Sequence, residues 1–368
     1  MSLEKLVEIS NRYGSDLEYV IAGGGNTSWK NDEIMYVKGS GTELGTITGD
    51  GFVKVDLSRL DAIWSKSYSE DVDKREEEVL EDLMASRFPS EMKKRPSVET
   101  LLHALLPFSY VVHTHPALVN GITCSRQGKD AIDRLFGKKA IWVPVTNPGY
   151  ILAKEVKDEI EKNTAGGNDF PQMIFLQNHG VFVSGNSEEE VDGIYKEIFD
   201  AIRPEVGSFP AGKEIPVEAD SILAVESIVK SSLDDSLTVS GFANQDILDM
   251  ARSEKDFAPL DLAFTPDHIV YYGFKPLYAQ SLETLADGIA AYKEENGVNP
   301  RLAVIKDLGA FAFNSTATQN EKSRLLFLDD VKVAVYTASF GGYQFMPEDQ
   351  INFIRNWEVE QYRASLSR

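Results

Sequence analysis

Pro96-Ser-Val-Glu-Thr-Leu-Leu-His-Ala-Leu-Leu-Pro-Phe-Ser-Tyr-Val-Val-His-Thr-His-Pro116 is the stretch on which the reading of this chain turns. It reads as a short helix from Val98 to Leu106, followed by a strand from Tyr110 to His115. It contains three of the five histidines. Side chains alternate along a strand, so His113 and His115 share a face and Thr114 points the other way. Two imidazoles one residue apart on one face are a ready pair of metal ligands. His179, in Phe-Leu-Gln-Asn-His-Gly-Val-Phe-Val at or near the end of another apolar strand, is the natural third. Three histidines leave a coordination position open, as a catalytic zinc site requires. Glu99, at the start of the intervening helix, would place a proton-transfer group beside them. Each signal also has a plainer explanation. A His-x-His strand suits two half-buried, hydrogen-bonded histidines, and an acid in a first helical turn complements the helix dipole. His103 shares the helical face of Glu99, among Leu101, Leu102, Leu105 and Leu106, and reads as a core or supporting residue.

Two small-residue turns lie upstream. Tyr19-Val-Ile-Ala-Gly-Gly-Gly-Asn-Thr-Ser28 is an apolar run opening into glycines, and Met35-Tyr-Val-Lys38 runs into Gly39-Ser-Gly-Thr42. Such turns after two neighbouring strands can gather backbone N–H groups and hydroxyls around an anion, or can simply be hairpin turns. Neither has the P-loop pattern or the dinucleotide fingerprint. Further along, strands and helices alternate. Asp71 to Phe88 is a charged amphipathic helix burying Val72, Val79, Leu80 and Leu83. Ala140 to Val145 is a strand, and Ser187 to Ile202 a helix with a capping-type start. Pro204 to Pro216 reads as a linker, after which helix, strand and turn signals restart. They include a strand at Ile269-Val-Tyr-Tyr272 and closing helices near Thr318 to Ser339 and Pro347 to Ser365. No internal repeat and no low-complexity tract is visible. The alternation argues α/β in both halves.

A chain of 368 residues suits two domains. Its formal net charge of −21, from 58 acids against 37 bases, argues against nucleic acid as the main partner. The single cysteine, Cys124, precludes an intramolecular disulfide or a zinc ribbon. The N-terminal residues lack a signal-peptide pattern, and no apolar run reaches the ~18 residues of a membrane helix. The expectation is a cytoplasmic protein without a membrane partner.

Taken together and in order, Gly-Gly-Asn-Thr-Ser (24–28), Lys-Gly-Ser-Gly-Thr (38–42), Pro-Ser-Val-Glu (96–99), Val-His-Thr-His-Pro (112–116) and Gln-Asn-His-Gly (177–180) resemble the class II aldolase/adducin family. The nearer likeness is to the aldolase portion of bifunctional rhamnulose-1-phosphate aldolase/alcohol dehydrogenases. It extends through Thr265-Pro-Asp-His268, Leu308-Gly-Ala-Phe-Ala-Phe313 and Trp357-Glu-Val-Glu-Gln361. The resemblance implies a three-layer α/β/α domain over residues 1–205 with a largely antiparallel central sheet. A linker at 206–216 and a smaller α/β domain at 217–368, ending in helices, would follow. It implies His113, His115 and His179 as ligands of Zn2+ or another divalent metal, with Glu99 as acid/base. Gly25, Asn26, Ser40, Gly41 and Ser97 would be the substrate contacts. Val98 stands where short aldolases often carry a hydroxyl residue. The implied reaction is cleavage of a rhamnulose- or fuculose-type ketose 1-phosphate to dihydroxyacetone phosphate and lactaldehyde. A sugar-phosphate epimerase, a dehydratase or a non-catalytic adducin-like binding protein are the alternatives. Family members tend to form homo-oligomers. The bifunctional chains continue into a dinucleotide-binding domain where this sequence stops, so neither NAD nor dehydrogenase activity is expected.

Overall fold

The computed structural model describes residues 2–356, which fall into two compact units. The first comprises residues 1–123 and 128–204, and the second 124–127 together with 205 onward. The first unit is built on strands β1 (Asn26–Lys30), β2 (Ile34–Lys38), β3 (Phe52–Asp56), β4 (Tyr110–Thr114), β5 (Ala140–Val143), β6 (Met173–Leu176) and β7 (Gly180–Gly185). Their order is β3-β2-β1-β4-β7-β6-β5, antiparallel throughout except for the β5–β6 pair. This is the expected mixed α/β fold with a largely antiparallel sheet. On one face, helices Leu57–Ile63, Val72–Ala85, Thr100–Leu105 and Tyr150–Ala165 bury a continuous core against Val37, Val55, Val111, Ile174 and Phe182. On the other, helices Ser2–Gly14 and Glu188–Ile202 pack on β1, β4 and β7. The period-2 alternation decides which residues meet which layer. Val111 and the His113 partner Phe182 face the helix of residues 100–105. Val112 and Thr114 face Tyr195, whose hydroxyl meets Thr114 Oγ1 at 2.7 Å and donates to the Val112 carbonyl at 3.2 Å.

The second unit carries β8 (Glu214–Ile215), β9 (Thr238–Asn244), β10 (Leu277–Ala279), β11 (Leu302–Ile305) and β12 (Gly309–Asn314) in the order β10-β11-β12-β9-β8. This repeats the order β5-β6-β7-β4-β1 of the first unit, with the single parallel pair, β10–β11, in the same place as β5–β6. The register repeats as well. Leu176 pairs with Gly180 and His113 with Phe182; Ile305 pairs with Gly309 and Gly241 with Phe311. Asn178 and Asp307, each two residues before the glycine, both take positive φ, 55° and 62°. Ser187 and Thr316 each cap the helix after the second strand of the pair. The structure therefore contains the internal repeat that sequence reading does not find. What the two halves share is a backbone path and a handful of turn residues, with little side-chain identity.

Several local expectations are corrected. Ile269–Tyr272 is not a strand. Thr265 caps a helix at Pro266–Tyr271, accepting from the His268 N–H with Pro266 in its first turn, and this start signal outweighs the β-branched run. The glycines at 23–25 do not close a strand; they precede β1. β9 has no counterpart among the strands read from the sequence. Val72 is exposed rather than buried. The closing helix is described as Glu348–Asn356, and Trp357–Gln361 lies outside the described residues. Among the described residues no helix is long and apolar enough to cross a membrane.

Candidate metal centre and its acid/base neighbour

β4 delivers His113, and the residue just beyond its end is His115, whose N–H is anchored to the Tyr19 carbonyl at 2.9 Å. The tight connection from β6 to β7 delivers His179. There the Gln177 N–H donates to the Val143 carbonyl at 3.0 Å, and the Asn178 N–H to the Thr123 carbonyl at 3.1 Å. Gly180 has to be glycine: an added Cβ would lie 2.5 Å from the Thr114 oxygen and 2.7 Å from the His115 ring. The outcome is three imidazoles whose ligand nitrogens all lie within 4.8 Å of one another. His113 Nε2 is 2.8 Å from His115 Nε2 and 3.4 Å from His179 Nε2. His113 Nδ1 donates to the Val181 carbonyl at 3.0 Å, which assigns its proton and turns the Nε2 lone pair toward the cluster. Three converging nitrogens with one tautomer set by a backbone carbonyl fit a divalent cation. No other group of metal-ligating side chains with such convergence occurs among the described residues.

Glu99 stands at the N-terminal end of the helix of residues 100–105, on the sheet face that carries His113. It is buried, and its Oε1 lies 3.5 Å from His113 Nε2 and 3.6 Å from His179 Nε2, with no hydrogen-bond partner. Its other oxygen accepts from Asn26 Nδ2 at 2.5 Å. Asn26 Oδ1 in turn accepts from His103 Nε2, and His103 Nδ1 meets Ser28 Oγ at 2.7 Å. Burial holds the His103 pKa well below the ordinary imidazole value, so the ring is neutral, and the bonding directions assign one proton to Nε2. Lys30 completes the support by donating its ammonium to the His103 carbonyl, and burial pushes its pKa down to about 7. Asn26, Ser28 and Lys30 are alternate residues of β1 and so face the same helix. They form a polar ladder that holds Glu99 from behind. His103, read as a supporting residue, is its middle rung. Ser28 and Lys30 were not singled out in the sequence, although their period-2 polarity in a strand of a large buried sheet was the available signal.

The remaining sequence candidates sit as follows. Gly25 has φ +62°, and an added Cβ would lie 2.7 Å from the His113 carbonyl, so this glycine lets the turn pass beneath the metal-ligand strand. The 38–42 turn is laced to the 95–99 segment. The Ser40 N–H donates to the Arg95 carbonyl at 2.8 Å, Ser40 Oγ to the Pro96 carbonyl at 3.1 Å, and the Ser97 N–H to the Lys38 carbonyl at 2.9 Å. Gly41 takes φ 83° in that turn. Ser97 Oγ accepts from the Glu99 N–H at 3.3 Å. Lys38, passed over in the sequence, is buried and reaches the Gly23 carbonyl at 3.3 Å, which places a cation between the two glycine turns. His268 lies in the second unit, with Asp329 and Asp330, and is not a member of the cluster.

In the second unit the repeat is silent at the corresponding positions. Register places Gly241 where the first unit has His113, Ala243 where it has His115, and Leu308 where it has His179. A Cβ on Gly241 would lie 2.9 Å from the Ile222 side chain and 3.0 Å from the Phe311 ring, so a larger residue does not fit there without a shift.

The model of the Class II Aldolase and Adducin N-terminal domain family matches residues 4–192. A Bacillus subtilis (strain 168) protein named as an uncharacterized oxidoreductase, YuxG, is 25% identical over 413 aligned residues. That alignment covers 99% of this chain, which spans 58% of the length of the relative. Among solved structures, the N-terminal class II aldolase domain of a conserved Thermoplasma acidophilum protein is 30% identical, with TM-score 0.47. It matches over 55% of this chain and 93% of its own. The L-fuculose-1-phosphate aldolase of Thermus thermophilus is 16% identical over 54% of this chain and 92% of its own, with TM-score 0.34. With the family model spanning more than half of its residues, the chain belongs to the class II aldolase and adducin family.

Proposed function

We propose that the chain is a metal-dependent lyase that performs retro-aldol cleavage of a ketose 1-phosphate of the rhamnulose or fuculose type, yielding dihydroxyacetone phosphate and lactaldehyde. The observation that carries this reading is the unpartnered, buried Glu99 oxygen 3.5 to 3.6 Å from two of the three converging imidazoles. His113, His115 and His179 would hold the metal, for which imidazole donors favour Zn2+. The bound cation supplies Lewis-acid polarisation of substrate oxygens. Glu99 handles the proton. Cleavage leaves an electron pair on the carbon that becomes part of dihydroxyacetone phosphate, and that carbon must be protonated; condensation removes the same proton. Asn26 fixes the far carboxylate oxygen so that Oε1 is the one presented. Gly25, Ser40, Gly41 and Ser97, with Lys38 between the turns, would frame the phosphate site; the Ser40 N–H and hydroxyl and the Ser97 N–H already serve carbonyls, so the Ser97 hydroxyl and the Lys38 ammonium would meet the anion. The chemistry belongs to residues 1–205, the second domain is accessory, and assembly as a homo-oligomer accompanies it. NAD takes no part.

The test is a coupled assay of the metal-loaded protein across rhamnulose, fuculose and ribulose phosphates and their unphosphorylated forms. Release of dihydroxyacetone phosphate supports the proposal; conversion of a pentulose phosphate without C–C cleavage would assign an epimerase instead. If every sugar stays intact, the enzyme reading fails. Alongside it, His113→Ala, His115→Ala and His179→Ala should each lose most bound metal, whereas His103→Ala and His268→Ala should keep it. Wild-type metal content in His179→Ala would show the third ligand to be misassigned.

A further inference from the structure

The second unit has no histidines at the positions that correspond to the three of the first, yet it carries a cleft of about 740 Å3 at the opposite end of β12 from Gly309. We propose that this cleft binds a small organic anion carrying a phosphate or carboxylate beside a hydroxyl group. Its charge is the first argument. In a chain of net charge −21, the charged residues lining this cleft, among the described residues, are Arg301, Lys322 and Arg355 against Asp234. A concave positive patch on an acidic protein concentrates small anions and disfavours other ligands.

The second argument is preorganisation. The Arg355 guanidinium lies 4.1 Å over the Phe274 ring and donates to Asn352 Oδ1 at 3.3 Å and the Asn296 carbonyl at 3.4 Å. Among the described residues no carboxylate pairs with it. Arg301 Nη1 is tied to the Val270 carbonyl at 2.9 Å. Guanidinium groups held in this way lose little freedom on meeting an anion, and their planar fork matches the oxygens of a phosphate or carboxylate. Their fields converge on Tyr292 in the cleft wall: burial pushes its hydroxyl up to about 12, while Arg355 and Arg301 pull it down.

The third argument is an unmet acceptor. Gln319 lines the same cleft, and its Oε1 is buried with no hydrogen-bond partner. A buried amide oxygen left without a donor is costly, and a ligand hydroxyl would satisfy it. The combination of fixed cations and a lone acceptor selects a hydroxylated anion over bare phosphate. Lining residues Phe274 and Phe313 are aromatic and suit the carbon skeleton.

The experiment is calorimetric titration of the metal-loaded 368-residue chain with four probes: glycerol 3-phosphate, glycerate, inorganic phosphate and glycerol. Glycerol 3-phosphate or glycerate should bind, and whichever does so identifies the anionic group. Binding at this site should weaken by about tenfold or more in Arg355→Gln and in Lys322→Gln, with metal content unchanged. Gln319→Leu should remove the preference of the hydroxylated anion over inorganic phosphate. Arg355→Lys, which keeps the charge, should retain part of the affinity, and the Lys322 variant carries the test if Arg355→Gln fails to fold. Titrations unchanged from wild type in both charge variants would overturn the proposal, as would binding of neither organic anion. Glycerol binding as tightly as glycerol 3-phosphate would also refute it.

Discussion

Replacing Glu99 by glutamine keeps the shape of the side chain and removes its basicity. The structure specifies what should survive. Asn26 Nδ2 donates to Glu99 Oε2 at 2.5 Å, and the carbonyl oxygen of a glutamine can accept the same bond. The amide group then occupies the place of Oε1, which lies 3.5 Å from His113 Nε2 and 3.6 Å from His179 Nε2 and is buried without a hydrogen-bond partner. The three imidazoles and the carbonyl that orients His113 are untouched, so metal content should remain near wild type. The proton acceptor is gone, however. A positioned general base contributes roughly 10²–10⁴-fold, or about 3–5 kcal/mol of barrier. The assay pairs elemental analysis of metal with NMR of C–H exchange into deuterated water, using metal-loaded protein and dihydroxyacetone phosphate. Exchange and cleavage should fall together by that factor. Near-normal exchange with full metal would refute Glu99 as the base; loss of metal would show that it acts as a ligand.

Asn26→Ala leaves Glu99 Oε2 and His103 Nε2 each without its buried partner, at roughly 1–3 kcal/mol apiece. Denaturant unfolding should show the lower stability, and turnover should fall by about tenfold or more with metal retained. Gly180→Ala drives a methyl group against the Thr114 oxygen and the His115 ring and should lower metal content. Its counterpart Gly309→Ala, at φ +120°, clashes with Phe242 and Ala243 instead and should destabilise the protein without changing the metal bound per folded chain. His268 provides a pH test. Burial alone would lower its pKa, but Asp330 at 2.9 Å and Asp329 at 3.2 Å outweigh that and raise it to about 9. A folded-state pKa above the unfolded value of 6.5 stabilises the protein fully below about pH 6.5, and that stabilisation is lost as the pH rises through about 9. Over that window urea unfolding should show a progressive loss of stability, absent from His268→Gln. Equal pH profiles for the two proteins would contradict the assignment.

The α/β class and the histidine cluster were legible in the sequence because they rest on short-range regularities. Strand alternation put His113 and His115 on one face, and His179 stood at or near the end of another apolar strand. Motif order supplied the family. What the tertiary structure alone decided are the long-range pairings. His179 joins the cluster because β7 lies beside β4, and Glu99 because its helix packs on the face that carries His113. Asn26 serves as a brace for Glu99, since β1 runs along the other edge of β4 and aims Asn26, Ser28 and Lys30 at that helix. Alternating polar residues on a short strand read the same whether they face water or a buried carboxylate, and only the neighbouring layer distinguishes the two. The repeat was hidden for a related reason. Strand order and register rest on backbone pairing, so Gly241, Ala243 and Leu308 can stand where the first unit has three histidines while the pairing stays the same. The helix at Pro266–Tyr271 is the converse case, where one capping threonine and its proline overrode an apolar run with strand character.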